Sequence, residues 1–128
     1  MKTLLFNLGV SLLLTHEMDA MLRSEWQLLF VLRDMEQVPA SWWFIYLHLP
    51  FYLAVLYLGN ARNLVWRERF RFVVAGFMPI HAALHFRLTG HALYDFHHVL
   101  SQVTIYGAGL CGVAYLVLLW TGRNSRAG

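Results

Sequence analysis

The sequence predicts an all-α integral membrane protein, a bundle of four antiparallel transmembrane helices with both termini cytoplasmic. Three observations lead there. The 128 residues are 59% hydrophobic and only 13% charged, against about 45–50% and ~25% for an average soluble chain. Mean hydropathy is +0.50. The apolar residues gather into four stretches separated by turn residues and charges, and a soluble fold of this length has no means of covering so much apolar surface.

The chain reads as a single transmembrane domain, 1–128, with spans at about 3–22, 42–59, 72–88 and 99–120. A span needs ~20 residues. The first begins after Met1-Lys2 and resembles a secretory signal, but Thr15-His16-Glu17 offers no small-x-small cleavage site, so it reads as a retained helix. It reaches full length only by carrying His16 inward. Arg23 to Met35 mixes Trp26, Leu28, Leu29 and Phe30 with Arg23, Glu25, Arg33 and Asp34. That is too polar to span, and it reads as an extension of the first helix or as an interfacial helix. Pro39 precedes the second span and Gly59-Asn60 follows it. The third span carries His81 and His85 and ends before Gly90, a C-cap position. The fourth qualifies outright as a span, and Gly107, Ala108, Gly109 and Gly112 supply the small residues that let helices approach closely.

Orientation follows from the basic residues. Lys2, the Arg62, Arg67, Arg69 and Arg71 loop, and Arg123 and Arg126 fall on one side, leaving Arg23, Arg33 and Arg87 on the other. The majority side is assigned to the cytoplasm. This accounts for the net charge of +3 and the pI near 9.4 without a nucleic-acid partner. Cys111, alone in an apolar stretch, reads as a small hydrophobe.

All seven histidines fall on the opposite, outer side. At ~1.5 Å per residue, His16, His48 and His85 each stand roughly 20 Å above the cytoplasmic edge. His16 and Asp19 are i, i+3, and His81 and His85 are i, i+4, so each pair shares a helix face. A His-x3-His pair can grip one ion through both rings, and carboxylates complete such sites or orient the imidazoles from behind. The expected metal ligands are therefore His16, Asp19, His48, His81 and His85, with Glu17 and Tyr52 as partners that orient them. Glu25 and Asp95 are further acids on the same side, and His91, His97 and His98 lie in or beside the outer loop. A structural polar network between helices would use the same residue types. No glycine-rich phosphate loop, G-x-S-x-G or C-x-x-C occurs, and His16-Glu17-Met18-Asp19-Ala20 departs from H-E-x-x-H at its last position.

The order His16-Glu17-Met18-Asp19-Ala20, Glu25-Trp26, His48-Leu49-Pro50 resembles a group of small uncharacterised bacterial membrane proteins carrying H-E-[IM]-D-A, E-W and H-[IL]-P over about four spans. The resemblance implies the four-helix architecture and a bacterial inner-membrane location, and no activity. The expected function is an outward-facing intramembrane site for a transition metal (Zn, Fe or Cu) or haem. Such a site suits a zinc-bound water acting on a lipid-like substrate, iron-based oxidation, or haem held by two facing histidines. Two other classes stay open: an accessory subunit of a larger membrane complex, and a small transporter or proton relay, which would need a homo-oligomer.

Overall fold

A computed structural model describes residues 1–124, which are helical or lie in turns and irregular connections, with no strand among the described residues. The helices are α1 (Lys2–Leu22), α2 (Gln37–Gly59), α3 (Leu64–Leu88) and α4 (Val99–Asn124), with a single 3-10 turn at Glu25–Gln27. Arg126 and the side chain of Arg123, counted above among the basic residues of one side, lie outside what is described.

Two buried clusters set the directions of the helices. One joins Phe6 at the start of α1, Val55 late in α2, Val74 in the first half of α3 and Tyr115 late in α4. The other joins Ala20, Phe44, Ala82 and Ile105, from the opposite ends of the same helices. Successive helices therefore run antiparallel. Two of them, Gln37–Gly59 and Val99–Gly122, are long and apolar enough to cross a membrane.

Helix limits differ from the apolar stretches for local reasons. α2 starts before Pro39 because a proline in a first turn removes an N–H that has no helical acceptor. α3 starts at Leu64, so Arg67, Arg69 and Arg71 are helical rather than in a loop. Asn63 caps it by accepting from the Val65 and Trp66 amides at 3.0 and 3.2 Å. Arg71 is buried, donates from Nε to the Gly59 carbonyl at 2.8 Å and lies over the Phe6 ring. It satisfies an orphan carbonyl at the end of α2 while tying α3 to α1. Gly90 has no positive φ, and Thr89 is the C-cap of α3, its hydroxyl donating to the Phe86 carbonyl at 2.8 Å.

The segment after α1 is neither a helical extension nor an interfacial helix. Ser24 adopts φ 53°, the one left-handed non-glycine residue among those described, and turns the chain back under the end of α1. Successive turns then run to Met35.

Candidate metal centre

α1 buries Leu13, His16 and Ala20, spaced i, i+3, i+7, so the stripe that packs into the bundle carries His16 with it. On α3 the same logic places His85 one turn beyond His81. The reversal at Ser24 then brings Glu25 back into the bundle, buried beside them.

The result is a four-residue group, His16, Glu25, His81 and His85, each offering a ligand atom within 4.8 Å of the others. Glu25 Oε2 is 3.2 Å from His16 Nε2, and Glu25 Oε1 is 3.4 Å from His85 Nε2 and 3.8 Å from His81 Nε2. The rings are in contact, with centroids 4.6–4.9 Å apart. Four atoms of the group, His16 Nδ1 and Nε2, Glu25 Oε2 and His85 Nδ1, are buried without a hydrogen bond, although His16 Nε2 and Glu25 Oε2 stand only 3.2 Å apart.

The surroundings are aromatic. Phe96, fully buried in the connection from α3 to α4, packs on the His16 and His85 rings at 5.5 and 4.9 Å. Phe77 stacks on His81 at 5.4 Å. Tyr94 lies 5.8 Å from His85, and burial above all pushes its phenol up to about 12, so it stays protonated. Burial would raise the Glu25 carboxyl as well, but the three imidazoles, His16 foremost, hold it well below the usual carboxylate range. Among the described residues no lysine or arginine pairs with Glu25. A carboxylate in so dry a place calls for a cation or a protonated imidazole beside it.

Of the residues singled out in the sequence, the structure brings His16, His81 and His85 together and leaves Asp19 and His48 outside the group. Asp19 faces α4: Ser101 Oγ donates to its Oδ2 at 2.5 Å, and Arg23 Nε to its Oδ1 at 3.3 Å. The i, i+3 relation put it near His16 in sequence, but α4 supplied a nearer partner. Arg23 also reaches Asp95 at 2.8 Å and holds that exposed carboxyl below its ordinary range.

His48 forms a separate dyad with Glu17, Nε2 to Oε2 at 2.7 Å, and its Nδ1 lies 2.5 Å from the Phe44 carbonyl. A carbonyl only accepts, so Nδ1 carries a proton, and one further proton is shared between Nε2 and Oε2. Tyr52 lies 5.5 Å from the His48 ring. Glu17 and Tyr52 thus accompany His48 and not the three clustered imidazoles. His91 only shapes its loop, its Nδ1 accepting from the Leu93 amide at 3.2 Å, while His97 and His98 are exposed.

Glu25 is the member of the group that the sequence reading counted only as a further acid. Its one signal was its place directly after a non-helical Ser24, and left-handed serine is not a pattern that local propensity announces.

No curated protein and no solved structure matches the chain. The sequence pattern of DUF6713, a family of unknown function, matches residues 2–122, and with nearly the whole chain covered the protein belongs to that family.

Proposed function

We propose that the protein is an integral membrane protein whose four helices cross the bilayer and hold one transition-metal ion through His16, His81, His85 and Glu25. The observation that carries the reading is the convergence of three imidazoles and one carboxylate on one buried point. At metal–ligand distances of ~2.0–2.2 Å, tetrahedral ligand atoms stand roughly 3.3–3.5 Å apart. The Glu25 contacts of 3.2, 3.4 and 3.8 Å sit around that value. A divalent ion would turn a buried net negative site into a net positive one shared by four ligands, and would engage His16 Nε2 and Glu25 Oε2, which are buried without a hydrogen bond. Three nitrogens and one oxygen suit zinc, iron or copper. The ring contacts favour a bare ion over haem, because imidazoles already touching leave no gap for a macrocycle between them.

In this reading the uncovered apolar faces of α1 and α3 meet lipid, and the site lies toward the side opposite the arginines of the α2–α3 turn. The charged groups inside then have the partners that membrane burial demands: Asp19 with Arg23 and Ser101, Glu17 with His48.

The test is metal content after mild detergent extraction, with an absorption spectrum. Wild-type protein should carry about one metal per chain. His85→Ala should lose most of it, and His91→Ala should keep it. Retention should fall at low pH, because imidazoles must be neutral to ligate. A metal-free wild type, indistinguishable from His85→Ala, would end this reading. An accessory-subunit role has one observation of its own, the exposed Trp42, Trp43, Ile45 and Tyr46 along α2. It predicts metal-free protein that co-purifies with a large partner.

A further inference from the structure

α1 and α2 do not close against each other. Between them runs an open groove of about 290 Å³ that the metal group does not line. Its walls are apolar, from Met18 and Met21 on α1 and Ile45 and Leu49 on α2. Its polar atoms come from three residues, Glu17, His48 and Tyr52.

We propose that this groove binds a neutral lipid with a hydroxyl head, of the long-chain alcohol or acylglycerol class. The inference rests on the membrane reading above, which opens the groove to acyl chains, and it does not need the metal.

The hydrogen-bond inventory selects the head. His48 is fully engaged, Nδ1 with the Phe44 carbonyl and Nε2 with Glu17 Oε2. What remains for a ligand is the second Glu17 oxygen and the Tyr52 hydroxyl, neither of which makes a hydrogen bond among the described residues. A hydroxyl both donates and accepts, so one head can donate to Glu17 and accept from Tyr52. An anionic head has nothing to meet it, since no lysine or arginine lines the groove and Glu17 does. The size agrees: ligand pockets run from ~300 Å³ upward, so this one takes the head and the first part of one chain and leaves the rest in the bilayer.

The experiment uses full-length protein in phosphatidylcholine nanodiscs and a monoacylglycerol carrying a diazirine in its acyl chain. Photolabelling should saturate, map to residues 18–21 and 45–52, and be competed by unlabelled monoacylglycerol but not by the fatty-acid anion. Tyr52→Phe removes one head contact, and Ile45→Trp fills the groove from an exposed position. Each should cut saturable labelling about tenfold with metal content unchanged.

Labelling that never saturates and spreads over the exposed faces of all four helices would overturn the proposal. So would equal competition by the anion, or indifference to both substitutions. Saturable groove labelling on a metal-free wild type would sink the metal reading alone. Stoichiometric metal with scattered labelling would sink the groove alone.

Discussion

Glu25 contributes the only charge among the four clustered ligand candidates, and it reaches them from a turn while the histidines ride on helices. Glu25→Gln keeps its size and one acceptor oxygen but removes the anion. Metal affinity, measured by competition with a chromogenic chelator, should fall by at least ~100-fold, since even residues behind the ligands matter by ~10–100-fold. Asp19→Asn should lower affinity far less and cost thermal stability instead, because Asp19 joins α1 to α4 through Ser101. Equal affinity in wild type and Glu25→Gln would remove Glu25 from the site. The contrast also shows what could be read without coordinates. His16 and His85 were legible because depth put them at one height, and His81 because it shares a helix face with His85, but the same depth argument also drew in His48, which lies outside the group. Glu25 was not, because its position depends on Ser24 at φ 53°. Nor was the exclusion of Asp19 and His48, because their partners, Ser101 and Glu17, are fixed by packing between helices and not by spacing along one.

The α3–α4 seam shows how an element prepares a contact for its neighbour. Pro79 has no N–H, so the Ala75 carbonyl one turn earlier lacks its helical donor. α4 meets α3 there through Gly112. A Cβ at 112 would stand 2.5 Å from the Ala75 oxygen and 2.9 Å from Pro79 Cδ, and one at Gly109 would stand 2.9 Å from Ala82 Cβ. Backbone and ring atoms cannot swing away, so a side chain here must push the helices apart. Gly112→Val should destabilise by about 1–3 kcal/mol or more, and it should loosen the grip on metal because His81 and His85 continue the displaced helix. Gly76→Ala, whose Cβ meets nothing within 4 Å, should stabilise by up to ~1 kcal/mol through helix propensity. Thermal unfolding of the two variants in detergent checks both, and a neutral Gly112→Val would refute the close seam. The four helices and the small-residue stripe of α4 were legible because composition and spacing are local properties. The early start of α3 was not, since arginine and glutamate are good helix formers and carry the helix past the apolar stretch.

For the whole molecule, the membrane reading proposed above makes the asymmetry of charge decide how it would sit in a bilayer. Arg62, Arg67, Arg69 and Arg71 lie in the α2–α3 turn and the first turns of α3, with Lys2 at the start of α1. The antiparallel order puts that end opposite the candidate metal group and the Tyr94–His98 connection. Positively charged short segments are retained on the cytoplasmic side, so the metal group should lie toward the outer half. With Cys111, the only native thiol, replaced by alanine, a cysteine is placed at exposed Arg62 or at exposed Ala92. A membrane-impermeant maleimide added to intact cells should label position 92 and reach position 62 only after permeabilisation. Labelling of both from outside would refute a membrane crossing by α3, the one helix between them. The reversed pattern would keep four spans but turn the bundle over, moving the metal group to the cytoplasmic half and its source of ions with it.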